Sequence, residues 1–171
     1  MIDTAKITIK AGNGGSGGIS FRREKYVPRG GPDGGDGGDG GDVIIRATDG
    51  LHMLRAFRYK RSFRAEDGAK GLGRNKAGHT GKDCVIAVPE GTFVTRISVN
   101  GEREIIGDLK DTGSQVIIEK GGVGGKGNAR FTRPQNRVPL LAEDGDIGKT
   151  VEIELELKVI ADVAIIGMPS V

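Results

Sequence analysis

The most regular hydrophobic pattern lies near the end of the chain, where Val151, Ile153, Leu155, Leu157 and Val159 alternate with charged residues. Because successive side chains of a β-strand point to opposite faces, this alternation predicts a strand with one buried face. Shorter stretches rich in Val and Ile repeat the pattern. The strands predicted in this way span residues 3–11, 42–47, 82–89, 93–107, 114–120 and 150–159.

The longest of these stretches is interrupted by Asn100 and Gly101. Both residue types tolerate positive φ angles, so an Asn-Gly pair between two strand-like segments favours a hairpin turn. No segment of the chain has the 3.6-residue periodicity of an amphipathic helix. The pattern therefore predicts a mainly β protein.

Glycine is the outlier in the composition, with 31 of 171 residues, whereas a typical protein has about 7%. The glycines concentrate in residues 12–18, 30–41, 68–81 and 121–127. Within GGPDGGDGGDGGD (30–42), two rows of glycines each recur at every third position, and aspartates occupy the remaining position of each triplet. These aspartates, which we call the Asp row, are Asp33, Asp36, Asp39 and Asp42.

A period of three is the repeat of the polyproline-II helix, which forms no hydrogen bonds within itself. Rows of glycine would leave bare faces on which backbones can approach and bond between segments. We therefore expect a rigid bundle of such helices, with the Asp row facing water. A set of flexible Gly-rich loops is the simpler alternative.

A second alternative is a structural or calcium-binding Gly-repeat protein. Residues 37–44 match the G-G-x-G-x-D-x-U repeat of calcium-binding β-rolls. The motif occurs once, however, whereas such rolls need tandem copies to build their sites.

Positive charge is distributed unevenly, although the net charge is only +3. Cations alternate with aromatic rings in FRREKY (21–26), in RAFRYKRSFR (55–64) and in RFTR (130–133). Cations neutralise phosphates and rings stack on unpaired bases, so this combination indicates nucleic-acid binding. In an extended segment, Phe57, Tyr59 and Phe63 would instead pack on one face. We favour that reading of the rings, and the cations alone could then contact an RNA backbone.

Cys84 is the only cysteine and lies in a predicted strand, where we expect a buried structural thiol. A single cysteine fits a reducing compartment. Nothing at the start of this sequence resembles a signal peptide, and no apolar run approaches the roughly 20 residues that span a bilayer. His52 and His79 have no partners at metal-ligand spacing. We therefore expect a cytoplasmic protein without a metal site.

The pattern changes after Val159. Residues 160–166, IADVAII, are almost continuously apolar, which is typical of a strand buried on both faces of a parallel sheet. Gly167 and four further residues follow, which is how a phosphate-binding G-x-x-x-x-G-K-[ST] loop begins. We expect one domain over residues 1–159 and the start of a second over residues 160–171.

Four motifs together are more specific: SFRREKYVPRGGPDGGDGGDGGDV, SFRAEDG, KGGVGGKGN and LKVIADVAIIGMPSV. With them the chain resembles the N-terminal domain of the Obg family of bacterial GTPases over essentially all 171 residues. The resemblance implies a bundle of polyproline-II helices on a small β-barrel, followed by a Ras-like GTPase domain. It also implies a role in late assembly of the large ribosomal subunit, with GTP and Mg²⁺ held by the GTPase domain.

In that family the loops of this domain approach ribosomal RNA near the peptidyl-transferase region. Carried over by motif, the rRNA-binding residues are Arg22, Arg23, Lys25, Arg29, Arg74, Lys76, Arg130, Arg133 and Arg137. Gly167, Pro169 and Ser170 match the opening of the family's GxPSxGKS loop. The resemblance implies binding to the large subunit and its rRNA, and we expect a monomer. Since the remaining loop residues are not in this sequence, we expect no catalytic residue, cofactor or nucleotide hydrolysis in this chain alone.

Overall fold

A computed structural model describes residues 2–23 and 30–158 of the chain. These residues form a mainly β structure, as the sequence predicts, and each of the predicted stretches contains a strand. The unpredicted elements are the short strand β3 and two single turns of 3₁₀ helix, Arg55–Arg58 and Asn128–Phe131. The strands are β1 (Ile2–Lys10), β2 (Val43–Ala47), β3 (Ser62–Arg64), β4 (Cys84–Val88), β5 (Thr92–Ile97), β6 (Arg103–Leu109), β7 (Gln115–Glu119) and β8 (Thr150–Lys158).

The strands are arranged in two sheets. The larger sheet has the order β3-β1-β8-β5-β6, and the smaller has the order β4-β2-β7. β1 and β8 pair antiparallel along their full lengths, from Ile2 opposite Lys158 to Lys10 opposite Thr150. Within the described residues neither sheet closes on itself. The small barrel implied by the resemblance is therefore not established by the strand pairing.

One hydrophobic core contains side chains from both sheets. Ile7, Ile153 and Leu155 of the larger sheet and Val43 and Ile45 of the smaller one are at most 2% exposed. Burial of each such side chain stabilises the fold by about 1.5–3 kcal/mol. The apolar residues whose alternation predicted β8 are thus the ones that face the core.

The predicted hairpin joins β5 and β6. The Gly101 N–H donates a hydrogen bond to the Ser98 carbonyl oxygen at 2.8 Å, and Gly101 has a φ of +80°. Asn100 is not among the described residues with positive φ. The connection therefore uses one left-handed glycine after the turn, as in three-residue hairpin loops.

The Gly-rich segments continue directly from the strand ends and together form what we call the Gly bundle. Hydrogen bonds join neighbouring segments at every third residue. The N–H groups of Gly35, Gly38 and Gly41 donate to the carbonyl oxygens of Leu72, Ala69 and Glu66, each at 2.8 Å. The segments of the Gly bundle are residues 11–18, 33–42, 66–73, 76–83, 120–128 and 143–149.

Glycine is required in the Gly bundle because the backbones are too close together for a Cβ atom. At Gly37 a Cβ would overlap the carbonyl oxygen of Gly15, and at Gly121 it would overlap that of Gly40. At Gly31, by contrast, a Cβ would have no atom within 4 Å. The period of three thus marks the positions that face a neighbouring backbone, and the described segments are packed rather than flexible loops.

The Asp row does not simply face water, contrary to our expectation. Its carboxylates accept hydrogen bonds from backbone N–H groups of a neighbouring segment, since a Gly-rich backbone carries one donor per residue that needs an acceptor. The two aspartates of the single β-roll-like motif, Asp39 and Asp42, are among these acceptors. Nothing in the structure favours the calcium alternative. The bonds join Gly127 to Asp36 at 2.9 Å, Gly124 to Asp39 at 2.8 Å and Gly121 to Asp42 at 2.8 Å.

Hydrogen bonds of this kind keep two aspartates in the charged form. The Gly127 N–H is the main cause that lowers the pKa of Asp36 below its usual value; partial burial opposes this effect, and Arg130 reinforces it. For Asp67 the main cause of the lowered pKa is the Asn13 N–H, and Arg64 adds to it. Both carboxylates thus join segments of the Gly bundle as acceptors.

We predict that Gly37→Ala destabilises the protein, because the added methyl group forces the segments apart. Overpacking typically costs about 1–3 kcal/mol, and displacement of two backbones places this variant at or above the upper end of that range. Gly31→Ala is the matched control and should change the free energy of unfolding by less than about 0.5 kcal/mol. Urea unfolding measures both variants. Equal stability of the two would contradict the steric account of the glycine rows.

We also predict a dependence of stability on pH through Asp36 and Asp67. A carboxyl whose pKa is lowered on folding stabilises the protein above its unfolded-state pKa of about 3.9. That contribution disappears as the pH falls through the folded-state pKa. The variant Asp36→Asn/Asp67→Asn should therefore lose less thermal stability between pH 5 and pH 2 than the wild type does.

The control for this experiment is Asp111→Asn, which changes an exposed aspartate whose carboxylate makes no hydrogen bond or ion pair within the described part of the chain. Differential scanning calorimetry across the pH series gives the melting temperatures. If the double variant follows the same acid profile as the wild type and the control, these two carboxylates do not carry the effect.

Candidate nucleic-acid interface

Three connections lie at the end of the Gly bundle that is remote from the sheets. The described parts of the first are residues 19–23 and 30–32, the second spans residues 73–76 and the third spans residues 128–142. Each connection carries basic residues that the sequence assigns to rRNA binding. Two of the assigned residues, Lys25 and Arg29, lie outside the described residues.

The second connection is a strained turn. Arg74 and Asn75 have φ angles of 62° and 54°, and consecutive positive φ angles are typical of a type I′ turn. The Leu72 N–H donates to the Lys76 carbonyl oxygen at 2.9 Å across the turn. Lys76 itself is exposed beside it.

Asp33 of the neighbouring segment holds this turn in place. Its Oδ2 accepts a hydrogen bond from the Arg74 N–H at 3.1 Å, and its carbonyl oxygen accepts one from the Asn75 N–H at 2.6 Å. Asp33 is 8% exposed. The position of the Arg74 backbone at the end of the bundle is therefore fixed by a buried residue, which limits the freedom of the turn.

A cleft of about 630 Å³ lies between the first and second connections. Three of the predicted rRNA-binding residues line this one opening: the adjacent Arg22 and Arg23, and Arg74, which lies in a different part of the sequence. The tertiary structure thus brings together arginines that the sequence placed in separate motifs. The lining residues are Ser20, Phe21, Arg22, Arg23, Asp33, Gly73, Arg74 and Asn75.

The third connection is attached to the Gly bundle through Arg130. The Nε and Nη2 atoms of Arg130 donate to Oδ2 of Asp36, at 3.1 and 2.8 Å. The Arg130 side chain is still 67% exposed, but a phosphate would have to compete with Asp36 for it. Arg133 and Asn136 exchange two backbone hydrogen bonds that form a tight turn, with Arg137 exposed next to it. These three arginines do not line the cleft.

Asn128 joins two of these connections to the Gly bundle, although the sequence did not single it out. It is fully buried, and its Oδ1 accepts a hydrogen bond from the Gly34 N–H at 2.8 Å. Its Nδ2 donates to the carbonyl oxygens of Ser20 at 3.1 Å and Pro139 at 3.2 Å. One buried amide thus joins the first connection, the third connection and the segment before β2. The only sequence signal is that an amide-bearing residue follows the glycine row KGGVGGKG.

Two of the three aromatic residues of the segment 55–64, Phe57 and Phe63, pack in the core. The Phe57 and Phe63 rings pack with their centroids 5.8 Å apart, and Phe57 is 7% exposed. The packing interpretation is correct for these two rings and wrong for Tyr59, which is 82% exposed. The physical reason is that Arg55–Arg58 forms a 3₁₀ turn, so the strict alternation of an extended strand is not maintained.

Cys84 is half-buried rather than fully buried, and burial raises the pKa of its thiol. It therefore stays protonated near neutral pH, as expected for a structural cysteine.

Among the described residues, no group of three or more His, Cys, Asp or Glu side chains could hold a metal ion. The same residues contain no helix with the length and apolar character needed to cross a membrane. Gly167, Pro169 and Ser170 lie outside the described residues, so the phosphate-loop assignment stays a prediction.

Comparison with known proteins agrees with the motifs. The family model GTP1/OBG matches residues 2–159. Over all 171 residues the chain is 48% identical to GTPase Obg of Pediococcus pentosaceus, 50% identical to that of Dehalococcoides mccartyi and 51% identical to that of Streptococcus pyogenes. These alignments cover 39%, 40% and 38% of the three relatives, so the chain spans about two fifths of their length. The chain belongs to the GTP1/OBG family.

Proposed function

We propose that this chain is the ribosome-docking part of an Obg GTPase that acts in assembly of the large ribosomal subunit. The observation that carries the proposal is the cleft at the end of the Gly bundle, where Arg22, Arg23 and Arg74 converge. Arginines bind phosphates through charge-assisted and often bidentate hydrogen bonds. Contacts of this kind position a protein on RNA without reading its sequence.

The rigidity of the Gly bundle supports docking of this kind. Its segments are joined by backbone hydrogen bonds at every third residue, and Asp33 fixes the Arg74 turn. A preordered probe loses less conformational entropy when it binds than a flexible loop does. The bundle therefore holds basic groups at a set distance from the two sheets.

We further propose that the segments of the Gly bundle are polyproline-II helices standing on a barrel formed by the two sheets. The three-residue period of the hydrogen bonds between segments supports the helices. So do the angles at Gly127, with φ −73° and ψ 162°, which lie close to polyproline-II values. The core shared by both sheets supports the barrel.

A GTPase domain is the further part of this proposal. Residues 1–159 form the docking domain, and residues 160–171 begin a Ras-like domain whose phosphate loop opens with Gly167, Pro169 and Ser170. That domain binds GTP and Mg²⁺, hydrolyses GTP and changes the affinity of the protein for the ribosome. The name GTPase Obg, which these relatives carry, supports the GTPase activity. The protein acts as a monomer in the cytoplasm, where its ribosomal partner is.

We predict that Arg23→Glu/Arg74→Glu weakens binding to purified large ribosomal subunits by at least about tenfold, because each reversal replaces a phosphate contact with repulsion. The matched control is Arg46→Glu/Lys110→Glu, which reverses two exposed cations that lie on β2 and directly after β6, outside the basic motifs. Cosedimentation over a series of salt concentrations gives both the affinity and its salt dependence.

The dependence on salt should also become shallower in the cleft variant, since fewer phosphates are neutralised. Thermal melting of both variants checks that the fold is intact. The proposal is wrong if the two double variants bind the large subunit equally well, or if the unmodified chain does not cosediment with it at any salt concentration.

A further inference from the structure

We infer that the cleft between the first and second connections is a pocket for one unpaired RNA nucleotide, and that Asp33 reads an amino group on its base. This inference rests on the proposed function and deepens it, because phosphate contacts alone would make the interface indifferent to sequence. Cytosine is the base whose exocyclic amino group is typically read by Asp or Glu. We therefore expect the pocket to bind a cytosine nucleotide.

The first observation is an unpartnered oxygen on a buried carboxylate. Asp33 is 8% exposed, and its Oδ2 accepts a hydrogen bond from the Arg74 N–H. Its Oδ1 is buried and accepts no hydrogen bond within the part of the chain that the structure describes. A buried acceptor without a donor costs free energy, so a ligand that donates a hydrogen bond to Oδ1 would bind more tightly.

The second observation is that the backbone beside this oxygen, at Gly73, carries no side chain. A Cβ atom at Gly73 would lie 3.9 Å from Asp33 Oδ1 and 2.6 Å from Ser20 Oγ. Gly73 thus adds no side chain beside either oxygen. The hydroxyl of Ser20 can donate or accept, so the deeper part of the cleft is polar.

The third observation is the distribution of charge. Arg23 and Arg74 line the same cleft as Asp33. A free anion attracted by the arginines would be repelled by the carboxylate, whereas a ligand with an anion at one end and an N–H donor at the other suits both. A nucleotide has this chemistry, with its phosphate toward the arginines and its base toward Asp33. Phe21 also lines the cleft and offers a ring on which a base can stack.

Other ligands match these groups less well. A metal ion such as Mg²⁺ or Ca²⁺ requires several oxygen ligands, and arginines beside the site would repel it. A lysine or arginine of a protein partner would meet the same repulsion. The combination of a single carboxylate oxygen, two arginines and a phenylalanine ring therefore favours an RNA nucleotide.

The inference is tested with fluorescently labelled hexamers of ribocytidine and ribouridine, whose binding to the 171-residue chain is followed by fluorescence anisotropy. The two hexamers carry the same number of phosphates, so a difference in affinity reports the base alone. Uracil has a carbonyl oxygen where cytosine has its amino group, and this oxygen would be repelled by Asp33. We expect the cytidine hexamer to bind at least about fivefold more tightly.

The variant Asp33→Asn distinguishes base reading from support of the turn. Its side-chain oxygen can still accept the Arg74 N–H, and its amide nitrogen then takes the place of Oδ1 and becomes a donor. The preference for cytidine should disappear or invert in favour of uridine. Gly73→Ala retains Asp33 but crowds the approach to it, and should weaken binding of the cytidine hexamer more than binding of the uridine hexamer. Asp111→Asn is the control that removes the same charge elsewhere and should retain the preference.

The wild-type comparison decides the question even if a variant fails to fold. Equal, salt-sensitive binding of both hexamers would overturn the nucleotide pocket while leaving docking through phosphates intact. Failure of the chain to bind either hexamer, together with failure to cosediment with large subunits, would overturn the proposed function as well. A cytidine preference that persists unchanged in a folded Asp33→Asn variant would also contradict the role of Asp33.

Discussion

The close approach of backbones along the glycine rows is the constraint on which the rest of the structure depends. The glycine rows have no side chains with which to build a hydrophobic core between segments, so each segment depends on hydrogen bonds to its neighbours. Ordering so many glycines carries a large entropic cost. That cost is offset because the strand ends already hold the segments side by side. The two sheets and their common core thus make the Gly bundle possible.

Aspartates couple the Gly bundle to the loops at its end. Asp36 accepts the Gly127 N–H and the Arg130 guanidinium, so the third connection is attached where two segments meet. Asp33 does the same for the second connection through Arg74 and Asn75. Residues that look like a solubilising row therefore determine where the basic groups stand. The bundle would therefore determine the geometry of an RNA-binding surface at this end.

Not all arginines at the end of the bundle are equivalent. Arg23 and Arg74 line the cleft beside an unpartnered carboxylate oxygen, whereas Arg130 is already bound to Asp36 and mainly fixes a loop. Motifs assigned all of them the same role because they share a residue type. Burial and pairing separate the residues that can meet a partner from those that organise the surface.

The sequence by itself determined the hairpin at Gly101, the glycine rows, the family and every described strand except β3, because alternation, turn residues and long motifs are local signals. Only the tertiary structure decided what the Asp row does, that Asn128 is buried, that Tyr59 is exposed and that three arginines share a cleft. The reason is distance along the chain: Asp36 and Gly127 are 91 residues apart, and Ser20 and Asn128 are 108 apart. A local pattern shows which face of a segment is bare, polar or apolar. Which donor or charge meets that face is decided only when the segments pack together.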